Sequence, residues 1–308
     1  MSPLPERFGG IVPPVCTPFT ESHEIDVASL ERLIAFQLDA GVHGLFMLGS
    51  TSETALLSDR QRRQVLETAV NVAGGRVPIL AGVISFATEP ALDHARAAKA
   101  IGVDALVATA PFYVRPSQDE IVRHFRFVRE EIGLPVFAYD VPPNVHVKIE
   151  RPTVVRMARD GLIIGLKDSS GEEGNFRGVV METRDLPGFA AFTGSELTVD
   201  LALAMGAAGA VPGLANVDPA GYVRIYDAMR GGDLATARRE QERLYRLFAI
   251  IRAAEPGRMG FTAAALGGFK TALMLRGVIA TNVMGRPLTR YDDAEVARVR
   301  RTLDEAGL

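Results

Sequence analysis

One supersecondary unit recurs eight times along this chain: a short apolar strand pattern, a turn, and a longer helical pattern. The strand patterns lie at residues 11–16, 44–48, 77–81, 105–107, 136–139, 163–166, 190–193 and 208–211. The helical patterns lie at 27–40, 59–73, 88–100, 118–131, 152–159, 173–182, 196–205 and 218–230. Strands joined through helices pair in parallel. Eight such units predict a (β/α)8 barrel, the TIM-barrel fold of the α/β class.

An open, doubly wound sheet is the competing architecture. No Gly-x-Gly-x-x-Gly follows any strand pattern, and eight strands are many for that class, so the barrel is favoured. After residue 232 the alternation stops, and three helical stretches follow without a convincing strand. The sequence therefore predicts a catalytic barrel over residues 1–231 and a C-terminal helical region over residues 232–308. The apolar faces of that region must be buried against the barrel or against another subunit.

Charge and composition exclude several classes of protein. A net charge of −3 with mixed signs lacks the basic surface of a nucleic-acid-binding protein. The apolar runs are too short to span a bilayer, and residues 1–7 show no signal-peptide pattern. The single cysteine, Cys16, allows no internal disulfide and is expected to pack in a strand. We therefore expect a cytoplasmic protein with no membrane or nucleic-acid partner.

Lys167 is unusual because only four of the 34 basic residues are lysines. Arginine stays protonated, whereas a desolvated lysine amine can lose its proton and attack a carbonyl carbon to form an imine. Lys167 follows the apolar run 162–166 and is therefore a candidate Schiff-base nucleophile. A lysine that snorkels to solvent or forms an ion pair with the adjacent Asp168 is the structural alternative. The other lysines are expected to be solvated or helix-end charges: Lys99, Lys148 and Lys270.

The strand ends bring further reactive groups towards Lys167. In a (β/α)8 barrel the active site forms at the carboxyl ends of the strands. Those ends carry Tyr139, Tyr113 and the hydroxyl-rich turn 49–53. A phenol can relay protons, and the backbone N–H groups of a Gly-Ser-Thr turn can hold a carboxylate. This combination suits chemistry on a 2-oxo acid.

Three of these segments carry a family resemblance. Gly-Ser-Thr-Ser-Glu at 49–53 resembles the Gly-[Thr/Ser]-Thr-Gly-Glu turn of the dihydrodipicolinate synthase/N-acetylneuraminate lyase family of pyruvate-dependent class I aldolases. Tyr-Asp-Val-Pro at 139–142 resembles the family's Tyr-Asn-x-Pro segment, and Gly-Leu-Lys-Asp at 165–168 resembles its Schiff-base strand. The likeness begins near Gly10 and extends through the C-terminal helices, so it covers almost the whole chain.

The resemblance implies a role for each residue. Lys167 would form the imine with a 2-oxo acid, and Tyr139 would relay protons at the scissile bond. Thr51 would link Tyr139 to Tyr113, which in this family reaches into the site of a neighbouring subunit. The resemblance also implies no cofactor and a homotetramer built as a dimer of dimers. The implied substrate contacts are Ser50, Thr51, Ser169, Val211, Asn144 and Glu196.

Two departures from the family bear on the substrate. Asn144 occupies the position where synthase members carry an arginine that binds the carboxylate of aspartate semialdehyde. A neutral amide cannot make that bidentate charged contact, which argues against a synthase. Glu196 is the one possible acceptor in segment 194–197, and segment 212–216 has almost no polar side chains. These segments would therefore offer few hydrogen bonds to a long polyol substrate. Segment 212–216 resembles members that cleave short 2-oxo acids.

Smaller features of these loops have structural alternatives. Ser52 stands where the family usually has glycine, which weakens the expectation for the backbone of that turn. Glu53 is expected to hold the turn rather than to act as an acid. His146 either faces the distal end of the substrate or is an exposed loop histidine. The five histidines lack metal-ligand spacing, so no metal is expected.

The sequence thus predicts a metal-independent class I lyase that cleaves or forms the bond between pyruvate and an aldehyde. The expected substrate is a 2-oxo-3-deoxy or 4-hydroxy-2-oxo acid. A sugar-acid dehydratase acting through the same imine and a 4-hydroxy-tetrahydrodipicolinate synthase remain alternatives. A non-catalytic 2-oxo acid sensor is the alternative outside enzymes.

Overall fold

A computed structural model describes residues 8–308. Eight strands alternate with eight helices. The strands are β1 (Gly10–Ile11), β2 (Leu45–Met47), β3 (Ile79–Gly82), β4 (Ala105–Thr109), β5 (Val136–Asp140), β6 (Gly165–Asp168), β7 (Ala190–Thr193) and β8 (Gly209–Ala210). The helices are α1 (Val27–Asp39), α2 (Asp59–Ala73), α3 (Thr88–Ile101), α4 (Gln118–Ile132), α5 (Arg151–Arg159), α6 (Glu173–Thr183), α7 (Val199–Ala204) and α8 (Pro219–Arg230). All strand pairs are parallel.

The sheet curls until its ends meet, which confirms the barrel and excludes the open sheet. β1 pairs with β8, where a side chain on Gly209 would overlap the backbone of Gly10. Between β1 and β2 the connection is a parallel bridge from Pro14 to Phe46, with the Val15 amide donating to the Phe46 carbonyl at 3.0 Å. The two shortest strands therefore lie at the closure, and glycine is needed there because the backbones approach so closely.

Strand alternation divides the core into two layers. One set of side chains fills the barrel interior, and the alternate set packs under the surrounding helices. The interior set is large and apolar and includes Phe46, Phe137 and Phe192, each at most 2% exposed. The Phe137 ring meets the Phe192 ring edge to face at 5.9 Å between centroids. The barrel interior is thus a packed floor beneath the carboxyl ends of the strands.

Strand β6 lies two residues later than the pattern 163–166 predicts. The prediction followed burial, but Ile163 is buried before the ladder begins, and the backbone of Ile164 first donates to Val136. At the start of a strand, a residue can be buried without yet being hydrogen-bonded to the neighbouring strand. As a result, Lys167 lies within β6 rather than after it.

The C-terminal region is helical, as predicted. It contains α9 (Leu234–Leu247), a 3-10 segment (Phe248–Arg252), α10 (Phe261–Leu275) and α11 (Asp293–Glu305). The expected apolar faces are buried at Leu244, Leu247 and Leu273. α10 contacts the loop that follows β8, so this region packs against the carboxyl end of the barrel.

Lys270 contradicts the expectation of a solvated or helix-end charge. Its side chain is fully buried and forms an ion pair with the carboxylate of Glu53, which is also buried. The Lys270 Nζ donates to the Val283 carbonyl at 3.0 Å and lies 4.3 Å from the centroid of the Phe19 ring. A helical pattern cannot reveal this role, because every partner is distant in sequence.

The other two lysines also have partners. Lys99 lies near the end of α3, as expected, and donates to the Ile132 carbonyl at 2.6 Å. Lys148 was expected to be solvated but forms an ion pair with the buried Asp140. Two buried or half-buried carboxylates near the strand ends are thus each neutralised by a lysine remote from the catalytic candidate.

The expectation that the chain has no signal peptide concerns residues 1–7, which lie outside the described residues. No helix formed by residues 8–308 is long and apolar enough to cross a membrane. Cys16 is buried in the extended segment after β1, and burial raises the pKa of its thiol to about 12.

The buried Glu53–Lys270 pair generates a stability prediction. Lys270→Met should lower the free energy of unfolding by about 3–5 kcal/mol, because it leaves the Glu53 carboxylate buried and unpaired. The double variant Glu53→Gln/Lys270→Met removes both charges and should recover part of that loss. Urea unfolding of the four proteins measures the coupling. Additive losses from the two single changes would show that the charges do not stabilise each other in the folded state.

Candidate active site

Lys167 and Tyr139 lie side by side on neighbouring strands. They are Cα partners in the β5–β6 ladder, so both side chains point to the same face of the sheet, the barrel interior. The Lys167 Nζ lies 4.3 Å from the centroid of the Tyr139 ring and 4.9 Å from that of Phe46. Below the amine lies the apolar floor of the barrel, and above it lies a cavity. The amine therefore stands at the boundary between a dry core and an open pocket.

Asp168 does not pair with Lys167, so the ion-paired alternative for this lysine is wrong. Adjacent strand residues point to opposite faces, which directs the Asp168 carboxylate away from the barrel axis. Its Oδ1 accepts a hydrogen bond from the Ser170 amide at 2.8 Å. Among residues 8–308, Lys167 forms no ion pair. A lysine 6% exposed with no carboxylate partner is free to react.

The turn 49–53 provides two unpaired amides beside this lysine. Ser50 and Thr51 both line the cavity. Neither amide donates a hydrogen bond to another group in the part of the chain that the structure describes. Unpaired successive N–H groups in a turn form a concave site for an anion.

Ser52 takes the place of glycine without straining this turn. Its hydroxyl accepts from the Gly49 amide at 3.2 Å and donates to the Val15 carbonyl at 2.6 Å. The left-handed conformation falls instead on Glu53, with φ 58°. The Ser52 side chain therefore fixes the turn to the segment after β1. Serine in place of glycine does not weaken the expected backbone of this turn.

Glu53 holds the turn from the other side. Its Oε2 accepts from the Gly285 amide at 2.6 Å, and its Oε1 pairs with Lys270. Both contacts are buried, and the carboxylate does not line the cavity. Glu53 is thus a structural acceptor, as the sequence suggested.

Glu196 lies on the opposite wall, after β7. Its Oε1 accepts from the Gly213 amide at 2.9 Å, and this bond joins the loops after β7 and β8. Burial raises the pKa of the Glu196 carboxyl, while the Gly213 hydrogen bond and the positive charge of Lys167 oppose that shift. The carboxylate expected to hold substrate is therefore also needed to hold the loop.

A cavity of about 540 Å³ joins these groups. Eight of the nine predicted site residues line it: Lys167, Tyr139, Thr51, Ser50, Ser169, Val211, Asn144 and Glu196. Asn144 lies on a single helical turn, Pro142–Val145, after β5, and Val211 lies immediately after β8. Segments distant in sequence thus converge because each follows a barrel strand.

Tyr113 and His146 lie apart from the cavity. The Tyr113 side chain is 90% exposed on the loop after β4. No hydrogen bond within residues 8–308 joins Thr51 to Tyr139 or to Tyr113. His146 is an exposed loop residue, which favours the second of its two interpretations. A single protomer therefore holds the lysine and one of the two tyrosines.

The sequence did not assign a cavity role to the C-terminal region. The 3-10 segment and α10 line the cavity with six side chains, four of them apolar and large: Phe248, Phe261, Thr262, Ala265, Leu266 and Phe269. Spacings of three and four residues along α10 place 262, 265, 266 and 269 on one helical face. That pattern predicts burial, but only the fold shows that the face borders a cavity.

Asp140 is a second feature that the sequence did not explain. It ends β5, is 1% exposed, accepts from the Ile149 amide at 3.0 Å and pairs with Lys148. Burial raises the pKa of the Asp140 carboxyl, and the Lys148 ammonium and the Ile149 amide oppose this shift. These contacts fix the loop that carries Asn144. No cluster of three or more His, Cys, Asp or Glu side chains within residues 8–308 could hold a metal ion.

Comparison with known proteins gives consistent matches over the full length. The model of the dihydrodipicolinate synthetase family matches residues 7–306. A 4-hydroxy-tetrahydrodipicolinate synthase from Methanoculleus marisnigri is 34% identical over 302 residues, which cover 97% of this chain and 100% of that protein. A second protein of that name, from Hyphomonas neptunium, is 34% identical over 98% of this chain and 99% of its own length.

Solved structures share the fold. YagE, a prophage protein of the dihydrodipicolinic acid synthase family from E. coli K12 solved with pyruvate, superposes with a TM-score of 0.91 at 26% identity. The match covers 98% of this chain and 99% of YagE. Dihydrodipicolinate synthase from Bacteroides thetaiotaomicron gives a TM-score of 0.90 at 31% identity, over 96% of this chain and 98% of its own.

Close contact between the loops after β6 and β7 generates a second prediction. A Cβ on Gly194 would overlap Ser169 Oγ and lie 3.0 Å from the Asp168 carbonyl oxygen. Gly194→Ala should therefore lower the free energy of unfolding by about 1–3 kcal/mol and displace Ser169 from the cavity wall. Thermal melting checks the loss, and Ser169→Ala in the same background should restore part of it. A Gly194→Ala protein as stable as the parent would contradict this contact.

Proposed function

The chain belongs to the dihydrodipicolinate synthetase family, and we propose that Lys167 is the imine-forming residue of a pyruvate-dependent class I lyase. The reaction is the reversible cleavage of a 2-oxo-3-deoxy or 4-hydroxy-2-oxo acid to pyruvate and an aldehyde. The observation that carries the proposal is the position of Lys167: an unpaired amine at the cavity floor, 4.3 Å from the Tyr139 ring.

The reaction follows from these groups. The Lys167 Nζ attacks the C2 carbonyl carbon, and loss of water from the carbinolamine gives a protonated imine. The Tyr139 phenol donates the proton with which the carbinolamine hydroxyl leaves as water, and the resulting phenolate accepts the proton of the C4 hydroxyl. The C3–C4 bond breaks, its electron pair moves into the enamine, and the aldehyde leaves. Tyr139 returns the proton to C3, and water hydrolyses the imine, giving one proton back to Tyr139, to release pyruvate and regenerate the amine. The imine nitrogen is the electron sink, so the reaction requires no cofactor.

Positioning of the substrate carboxylate falls to the turn 49–53. The free amides of Ser50 and Thr51 lie on the cavity wall and are not used elsewhere in the described chain. Hydrogen bonds from N–H groups to a carboxylate are charge-assisted and stronger than those to a neutral acceptor. They would hold the C1 carboxylate and orient C2 towards the lysine, with Ser169 and Val211 on the facing wall.

A 4-hydroxy-tetrahydrodipicolinate synthase remains the second candidate because the curated relatives above bear that name. The cavity favours the lyase. Asn144 lines it where a synthase would need an arginine, and none of the arginines within residues 8–308 lines it. Product formation from pyruvate and aspartate semialdehyde would identify the synthase.

Exposure of Tyr113 supports an oligomer. A tyrosine 90% exposed at the end of a barrel loop is available to the cavity of another protomer. We propose a homotetramer, arranged as a dimer of dimers, in which this residue completes the proton relay through Thr51. One solved structure of similar fold is described as a monomeric dihydrodipicolinate synthase variant, so sedimentation of this protein should be used to determine its oligomeric state.

The single buried cysteine supports a cytoplasmic location.

Borohydride reduction in the presence of pyruvate tests the nucleophile. Peptide mass mapping should find a pyruvyl adduct on Lys167 and on none of the other three lysines. Lys167→Met should abolish both adduct and turnover, because no other lysine lines the cavity. Lys99→Met, near the end of α3 and outside the cavity lining, is the matched control and should keep the adduct. A folded parent protein that forms no adduct would refute the imine mechanism.

Tyr113→Phe tests the shared relay. It should lower kcat by about 10²–10⁴-fold, the usual contribution of a positioned proton-transfer group, while pyruvate trapping on Lys167 persists. Sedimentation should show an unchanged assembly, because the phenyl ring is kept. Unchanged kcat in an intact oligomer would remove Tyr113 from the mechanism.

A further inference from the structure

The cavity extends well beyond the space that pyruvate needs. Its volume of about 540 Å³ falls within the range of pockets that bury drug-sized ligands, whereas pyruvate is much smaller. Lys167 and the turn 49–53 account for one end. The other end lies between the loop after β7 and the C-terminal helices, and its function is not explained by imine formation.

Large apolar side chains dominate that second end. Phe248 and Phe269 meet there with their ring centroids 6.4 Å apart, and Leu266 contributes further apolar surface. Phe261, 79% exposed, stands at the start of α10 on the same lining. Aromatic and aliphatic surface of this kind binds apolar groups by removing them from water.

Charge argues in the same direction. Within residues 8–308, Lys167 is the only basic side chain that lines the cavity, and imine formation uses its amine. The carboxylate of Glu196 lines the same space, and the exposed Glu172 and Glu173 also border it. Like charges repel more strongly where water is partly excluded, so a second carboxylate on the substrate is disfavoured. The hydroxyls that the loop after β7 contributes are already used: Thr198 donates to Ser195 Oγ at 2.9 Å, and this oxygen also accepts from the Leu197 amide at 3.2 Å. Thr262 and Glu196 are the other polar side chains on this part of the lining.

We propose that the aldehyde partner carries an uncharged aryl ring, which binds between α10, the 3-10 segment Phe248–Arg252 and the loop after β7. The substrate class would then be 4-aryl-4-hydroxy-2-oxobutanoates, cleaved to pyruvate and an aromatic aldehyde. This inference rests on the proposed lyase function and specifies its substrate. Phe248, Leu266 and Phe269 contact the ring, and the face of Ala265 sets the available depth.

The test measures aldol formation from pyruvate with four aldehydes: benzaldehyde, acetaldehyde, glyceraldehyde and the anionic succinic semialdehyde. Aldol products are quantified by mass spectrometry on the intact oligomer. We expect kcat/KM for benzaldehyde to exceed that for glyceraldehyde and succinic semialdehyde by at least about 10-fold, the lower range of discrimination by one well-filled apolar pocket. A preference for glyceraldehyde or for the anion would overturn the aryl assignment.

A matched pair of variants on α10 locates the effect. Ala265→Leu fills the cavity and should reduce the ratio of benzaldehyde to acetaldehyde turnover by about 10-fold. Ala264→Leu lies on the same helix outside the lining and should leave that ratio unchanged. An equal ratio in both variants would place the ring elsewhere and refute the proposed contacts.

Failure of the substrate assignment is distinguishable from failure of the lyase function. Borohydride trapping of pyruvate on Lys167 is run in the same samples. An adduct with preference for polar aldehydes refutes the aryl site alone. Absence of the adduct refutes the imine mechanism and the aryl site with it.

Discussion

The buried ion pair between Glu53 and Lys270 connects the two halves of the site. One partner ends the turn whose free amides face the cavity, and the other lies on α10, the helix that forms the far wall. Removing two charges from water is costly, and the pair is acceptable only because Glu53 also accepts from Gly285 and Lys270 also donates to Val283. The same contact therefore fixes where pyruvate would be held and where the second substrate would enter.

In β5 and β6, strand periodicity separates the proposed reactive groups from the carboxylates that hold the loops. In β5 and β6 the inward residues are Tyr139 and Lys167, and their neighbours Asp140 and Asp168 point outward. The outward carboxylates hold loops through backbone amides, and Lys148 neutralises Asp140. Because the two sets alternate on the same strands, the amine is kept away from carboxylates one residue along the chain. A shift of one residue in register would reverse both roles.

Much of this structure could be predicted from sequence because the strong patterns are local. Eight alternating units define the barrel, and the rarity of lysine draws attention to Lys167. Long-range contacts were not predictable in this way. Lys270 lies in an ordinary helical pattern that does not point to Glu53. The Glu53 carboxylate in turn accepts a hydrogen bond from Gly285, which lies 232 residues after it in the sequence. The same reason explains the aromatic wall: periodicity shows that one face of α10 is apolar, but not whether protein or a cavity lies against it.

The division of the cavity between barrel strands and α10 has an evolutionary consequence. The proposed bond-making groups lie on strands of the packed barrel, where most changes would disturb many neighbours. The opposite wall belongs to a helix whose lining residues at 262 and 265 are only partly enclosed. Substitutions on that face can therefore accumulate and change the preference for one aldehyde over another. The proposed imine chemistry on the strands would stay the same. Diversification of such enzymes should be recorded mainly in their last quarter, whereas the strands that carry the proposed catalytic groups should change slowly.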